Sequence, residues 1–385
     1  ILLFSLSIAL TDYVRGKIFT GFPWNLWGYS WSWFTEMIQT LNIIGLFSFN
    51  LLTITIFTIP AAIVFKSQPT KKYLIIILTL LFIFLIYLYG TFSINKNRDV
   101  INNIDINSKV YTKVISPNFK LEYNLSIQNA ENKLKQIIRY SDPEPQKKTI
   151  FIWPEGIFTG YSYDEIYQFK NLIKENFSEN HIILFGINTQ EKTSNEYFNS
   201  LIVIDNNFKI LHQYDKQKLV PFGEFLPFKT FLSKFGLKKI TEGHGSFSKG
   251  KKQDNIIINN LNILPLICYE VIFPELVQQS NINTNLIVNI SEDGWFGNTI
   301  GPYQHFAKAI FRSVESNLFL VRSANKGITA IISNKGEIFK KLNINEIGSI
   351  EMNIPLLTTK YKKLIPEDYV EKYEKARKLF TGEIL

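Results

Sequence analysis

The sequence predicts an α/β layered domain attached to membrane-spanning helices, and three observations carry that expectation. The first 95 of the 385 residues are very poor in charge and rich in Phe, Ile, Leu and Trp. Two long uncharged runs lie close together within them. From about residue 108 onward the composition is ordinary for a soluble domain, with short β-branched runs alternating with polar, helix-like segments.

The chain begins "ILLFSLSIAL", inside an apolar run and without an initiator methionine, which reads as a fragment lacking upstream sequence. No basic stretch or small-residue cleavage site surrounds it, so it does not read as a signal peptide. The 29 residues 37–65 and the 23 residues 73–95 carry no formal charge. A bilayer core takes about 20 apolar residues as helix, so both runs are long enough to span it. The other reading of such runs, core helices of a soluble protein, fits two of them this close together poorly. Between them, "KSQPTKK" carries Lys66, Lys71 and Lys72, which places this link on the cytoplasmic side by the positive-inside bias. Alternation then puts residues 12–36 and everything after about 96 on the opposite face. There, Trp24, Trp27, Trp31 and Trp33 suit an interfacial aromatic belt. The expected division is a partial membrane region at 1–95, an extracytoplasmic domain at 105–355, and a charged, helix-like tail at 356–385 that cannot span.

Within the domain the expected strands are 149–153, 181–187, 200–205, 262–268, 285–290, 318–324 and 328–333. Helices are expected at 163–175 and 303–316, the latter with Phe306, Ala309, Ile310 and Val314 on one face. "SKGKKQDN" at 248–255 reads as an exposed loop. Continuous apolar strands separated by helices imply sheets covered by helices. One cysteine allows no intrachain disulfide. His181, His212, His244 and His305 are scattered without ligand spacing, so no metal and no cofactor is expected. The net charge of +9 lacks a dense Lys/Arg stripe, which fits a solvated surface or anionic lipid rather than nucleic acid.

Three strand ends or post-strand loops carry reactive groups. In "FIWPEG", Glu155 follows an apolar strand. A loop carboxylate is ordinarily just solvated, but Trp153, Pro154 and Phe158 could desolvate this one and make it a base. "YDKQKLVPFGEF" offers Lys216, Lys218 and Glu224, and a solvated basic turn remains the reading for Lys218. Cys268 ends the run "NILPLIC", with Tyr269 and Glu270 next. A lone cysteine is more often a buried, inert thiol. As a nucleophile it would need a base and a cation, which Glu and Lys can supply without histidine.

"WPEG", "YDKQKLVPFGE" and "CYE", in this order and spacing, resemble the apolipoprotein N-acyltransferase family, a membrane-bound branch of the nitrilase superfamily. The resemblance extends to "TGFPWNLWGYSW", "DGWFGNTIGPYQHFAKAIFRSVE" and "RSANKGITAII", covering about residues 10–350. It implies a nitrilase-like four-layer α-β-β-α sandwich attached to transmembrane α-helices. It implies Glu155 as general base, Lys216 as oxyanion-stabilising cation and Cys268 as nucleophile, with Glu224, Tyr269 and Glu270 in support. Trp295 and Phe296 would line a substrate channel, or simply pack their loop. The implied reaction moves a fatty acyl group from a phospholipid donor, through a cysteine thioester, to the N-terminal amine of a diacylglyceryl apolipoprotein. The implied location is the bacterial inner membrane, multi-pass, with the catalytic domain periplasmic. The family's upstream helices and its final membrane helix have no counterpart here. Its tryptophan before the catalytic glutamate has none either, although Tyr123 lies in roughly that place. Two rival readings use the same residues differently: a membrane-tethered amidase or nitrilase with water as acceptor, and a non-catalytic membrane protein binding lipids or partners.

Overall fold

In a computed structural model, residues 1–65, 69–122, 125–191, 193–227, 246–251, 255–258, 260–277 and 283–357 are described. Lys66, Tyr123, His244, part of the 248–255 loop and the tail from 358 lie outside them. Helices α1 (Leu2–Arg15), α2 (Leu41–Phe65) and α3 (Pro69–Asn102) form the first third. Two stretches, Met37–Ala61 and Lys71–Asn102, are long and apolar enough to cross a membrane. Only 28% and 11% of their most apolar windows are buried, which is unlike a soluble core helix. Leu74, Ile77, Leu80 and Phe84 on α3 are each more than half exposed, a surface that only lipid or another apolar partner would cover.

α2 is interrupted at Gly45, whose φ of +73° breaks the helical path. The broken turn leaves the Leu46 N–H without its helical acceptor, and Glu315 Oε1 takes that bond at 3.0 Å. Asn42 donates to the Glu315 carbonyl at 3.1 Å. Before α2, residues 16–40 run as turns and short 3₁₀ segments, held by a polar cluster. Asp12 accepts from Arg15 (2.7 Å) and from Asn50 (2.9 Å), and Asn50 Oδ1 accepts from the Gly28 N–H (3.0 Å).

The rest is two six-stranded sheets. One runs β12-β1-β2-β3-β4-β5, with β1 Lys109–Ser116, β2 Thr149–Ile152, β3 His181–Glu191, β4 Glu196–Ile204, β5 Ile210–Asp215 and β12 Gly348–Pro355. The other runs β11-β10-β9-β8-β7-β6, with β6 Ile256–Ile258, β7 Leu261–Ile267, β8 Leu286–Glu292, β9 Phe319–Asn325, β10 Thr329–Ile332 and β11 Ile338–Leu342. Each has a parallel centre, β1-β2-β3 or β7-β8-β9, with antiparallel edges.

Side-chain alternation explains the layering. Ile150 and Ile152 face the other sheet, packing in one cluster with Ile263, Ile267, Val288 and Val321. Phe151 and Trp153 face outward, against α4 (Ile127–Ser141) and α6 (Lys170–Asn176). Because both faces are covered, the strands read as unbroken apolar runs rather than alternating ones. α8 (Gly301–Ser316) covers the second sheet, with Phe306, Ala309, Ile310 and Val314 all buried. The same cluster takes in Leu26, Ile38, Leu41 and Phe49, so the first third of the chain packs directly onto this layer. This is the expected four-layer sandwich joined to two long apolar helices. The helix expected at 163–175 is divided into α5 (Tyr163–Ile166), a 3₁₀ turn (Tyr167–Phe169) and α6. The short helix α7 (Pro274–Val277) follows the turn after β7.

Candidate active site

Loops leaving the carboxyl ends of β2, β5, β7 and β8 converge on a cavity of about 390 Å³. Glu155 stands three residues past β2. Gly156 then turns the chain at φ +75°, where a Cβ would come within 2.7 Å of Glu292 Oε2. Gly186 on β3 lies behind the base, with room for no Cβ: one would sit 2.8 Å from the Glu155 Cα. Trp153 does not desolvate Glu155 as expected from its place in sequence. It points into the outer core, where its Nε1 donates to Ser141 Oγ at 2.9 Å. Phe158 does line the cavity, and Glu155 itself is buried.

Asn199 Nδ2 donates to Glu155 Oε1 and to Glu224 Oε1, both at 2.7 Å. Lys216 Nζ reaches Glu224 Oε1 at 2.8 Å and Glu155 Oε1 at 3.5 Å. The second oxygens are held by backbone N–H groups, Glu292 to Glu155 (3.0 Å) and Val220 to Glu224 (2.7 Å). Each carboxylate is therefore fixed at both ends. Burial works against a charged Lys216, but Glu155 and Glu224 outweigh it and hold the ammonium above its usual range.

Cys268 is the first residue after β7, at a φ of +49° that non-glycine residues seldom adopt. His305 Nε2 donates to its carbonyl at 3.1 Å, and Asp293 behind the imidazole is pinned by Arg322 at 2.7 Å. Burial, then the Glu155 charge, pushes the Cys268 thiol up, and the opposing pull of Lys216 does not offset them. The sulfur therefore keeps its proton at neutral pH and needs a base to become a nucleophile.

Of the eight residues singled out from sequence, seven line this cavity: Glu155, Lys216, Cys268, Glu224, Tyr269, Trp295 and Phe296. Glu270 does not. It is fully buried on the other side of the turn, accepting from the N–H groups of Gln217 (2.6 Å), Lys218 (3.1 Å) and Ile267 (2.8 Å) and from the Tyr214 hydroxyl. It ties the Lys216 loop to the Cys268 strand end. Burial pushes its carboxyl up to about 7 against those donors and the Lys216 charge. Lys218, read as a solvated turn residue, pairs with Glu275 at 3.1 Å.

The carbon-nitrogen hydrolase family matches residues 121–362, and the apolipoprotein N-acyltransferase N-terminal domain matches residues 1–59. The apolipoprotein N-acyltransferase of Brucella melitensis is 31% identical over 367 residues, covering 92% of this chain and 67% of that protein. That of Rickettsia typhi is 33% identical over 359 residues, covering 92% and 70%. The chain belongs to the apolipoprotein N-acyltransferase family. It is an acyltransferase of the nitrilase superfamily, spanning about two thirds of these relatives' length. Among solved structures, Saccharomyces cerevisiae Nit3 of the nitrilase superfamily aligns at 14% identity and TM-score 0.48, over 68% of this chain and 97% of that one.

In this acyltransferase, several cavity residues escaped the sequence reading. Asn199 lies one residue before the strand expected at 200–205, which in fact begins at Glu196, and nothing local marks it as a bridge between two carboxylates. Phe22 and Trp24 reach the cavity from the segment before α2. Trp24 was assigned to an interfacial belt, but its Nε1 donates to Gln304 Oε1 at 2.9 Å and its ring lies 5.6 Å from those of Phe296 and His305. Trp27 and Trp33, by contrast, are more than half exposed. Tyr269 donates to the Gly21 carbonyl at 3.0 Å and stacks on Phe22, so it joins the nucleophile's turn to that same segment.

Proposed function

We propose that this enzyme transfers a fatty acyl group from a membrane phospholipid to the N-terminal amine of the diacylglyceryl-cysteine of apolipoproteins, through a thioester on Cys268. In the first half, Glu155 takes the thiol proton as the sulfur attacks the ester carbonyl. The Lys216 ammonium stabilises the oxyanion. The C–O bond then breaks, and the proton on Glu155 passes to the departing lysophospholipid alkoxide. In the second half the amine attacks the thioester carbonyl, the C–S bond breaks, and the thiol is restored. Glu224 and Asn199 hold Lys216 and Glu155 in register, and Glu270 holds the two loops together. An aromatic wall of Phe22, Trp24 and Phe296 excludes water that would hydrolyse the thioester.

The observation that carries this reading is the mixed origin of the cavity. Glu155, Lys216 and Cys268 share it with Phe22 and Trp24, which come from the segment leading into the apolar helices. A water-soluble amide would not call for such a wall, whereas a lipid ester would. Residues 1–95 are read as the membrane region of a multi-pass inner-membrane protein, and 105–355 as the catalytic domain on its periplasmic side.

Intact-mass measurement tests it. Detergent-solubilised protein incubated with phospholipid should gain one fatty-acyl mass, and a diacylglyceryl-cysteine peptide should discharge it as the N-acyl product. Cys268→Ala should show no adduct. Wild-type protein that folds yet forms no adduct, or whose adduct passes only to water, would overturn the proposal.

A further inference from the structure

Glu292, the last residue of β8, has no role in the scheme above beyond its backbone N–H. Its side chain is 2% exposed, lines the cavity, and sits beside Glu155. Oε1 accepts from the Gly294 N–H and Oε2 from Asn325 Nδ2, both at 2.7 Å, so the carboxyl is held in place. Among the described lining residues, the carboxyls of Glu155, Glu224 and Glu292 face a single ammonium, that of Lys216. Burial and the Arg322 charge push His305 toward its neutral form, so it adds no counter-charge. Even with Glu292 protonated, as its burial favours, Glu155 and Glu224 outnumber Lys216, and an ammonium arriving beside Glu292 draws it to the carboxylate form.

Proton counting gives that surplus a use. A primary ammonium, R–NH3⁺, must lose two protons to become the amide R–NH–CO. The departing Cys268 thiolate consumes one, and the other needs a second acceptor. A water nucleophile makes no such demand before it attacks. We propose that Glu292 is that second acceptor: its carboxylate binds the acceptor's ammonium and removes one proton, freeing the nitrogen lone pair to attack the thioester. Glu155 then takes the second proton from nitrogen as the C–S bond breaks and passes it to the Cys268 sulfur. Glu292 releases its own proton to solvent, which closes the balance.

The acid strength fits. Burial, helped by the Glu155 and Asp293 charges, raises Glu292 to about 8 against the Asn325 and Gly294 donors. An α-amino group has a pKa of about 8, so a carboxyl raised by burial in this way is far better matched to take its proton than a solvated carboxylate. Lys133, whose ammonium feels the Glu292 charge, and Lys326, whose side chain lies beside the same loop, are two further cations on this side of the cavity. Lys133 is occupied by the Lys120 carbonyl and Glu122, and Lys326 by Asn118.

This inference rests on the amine-acceptor reading and deepens it. The test uses the full-length protein loaded with acyl groups from phospholipid and follows both half-reactions by mass. Glu292→Gln should slow thioester formation less than about tenfold but slow discharge by a diacylglyceryl-cysteine peptide at pH 7 by about 10²-fold. The defect should shrink at pH 9, where the amine arrives uncharged. Hydroxylamine, uncharged at neutral pH, should discharge the variant and wild-type thioesters at similar rates. Equal losses with both nucleophiles, or none with the peptide, would overturn the assignment. A variant that does not fold leaves the wild-type profile to decide. Below pH 8 its peptide discharge should exceed what the free-amine fraction supplies, and strict proportionality to that fraction would sink the idea. Wild-type protein that acylates itself but never transfers to the peptide would instead refute the proposed function.

Discussion

Glu155 and Trp24 line the same cavity, yet they are held there by opposite means. Glu155 belongs to a floor of buried polar groups, each oxygen bonded to a donor at 3.5 Å or less and each donor placed on a strand or just after one. Trp24 belongs to an aromatic wall on an irregular segment, held by one hydrogen bond and by ring contacts to Phe22, Phe296 and His305. The floor is rigid because a charge that moved would lose bonds nothing else could replace. The wall needs only to be apolar and of the right shape. The proposed function thus assigns chemistry and substrate admission to different parts of the chain.

Substitutions can break that division. Glu155→Gln keeps the shape of the floor but removes its proton acceptor, and acyl-enzyme formation should fall by about 10²- to 10⁴-fold. Gly186→Ala should push the Glu155 backbone away from Lys216. Overpacking of this kind costs about 1–3 kcal/mol, visible as a lowered melting temperature together with slower acylation. On the wall, Trp24→Ala should raise the KM for phospholipid by about tenfold while leaving kcat nearly constant. Trp24→Phe, which keeps a ring but loses the bond to Gln304 and part of the indole's area, should shift KM by about fivefold, in keeping with ~1 kcal/mol for a hydrogen bond. A wall substitution that lowered kcat as much as Glu155→Gln does would erase the distinction.

The smallest effect is the most pointed. The Cys268 thiol is held above its usual range by burial and by Glu155. A raised pKa means less thiolate at any pH below it, so iodoacetamide labelling should be slower than for free cysteine at pH 7. It should still be climbing at pH 9. Glu155→Gln removes a negative charge near the sulfur, lowers that pKa, and should speed labelling severalfold at fixed pH. The same variant would then slow catalysis and hasten alkylation, as a base should and a thiolate-stabilising group would not.

Much of the floor was legible because its residues follow apolar strands covered on both faces. "TIFIW", "NILPLIC" and "NLIVNI" announce themselves as β2, β7 and β8, and Glu155 and Cys268 sit where those runs stop. Two other strands were not legible. The edge strand β11, "IFKKL", is largely exposed, and the inner strand β1, "KVYTKVIS", carries Lys113, whose Nζ reaches the Asp142 carbonyl at 3.2 Å. β11 lacks the apolar run that marks a covered strand, and β1 takes one of its sheet neighbours, β12, from more than 200 residues away. Asn199 and Trp24 were missed for the same reason. Their roles are set by partners 44 and 280 positions off, Glu155 and Gln304.

The break in α2 at Gly45 has a mechanical consequence. Because Glu315 of α8 completes the interrupted helix, the anchor and the catalytic body share a joint with little freedom to swivel. With the apolar helices in a bilayer, as proposed, the sulfur's height over the lipid surface is set once, when the chain folds. In the proposed reaction donor and acceptor both climb to that one level, and an acyl chain handed over there never has to travel.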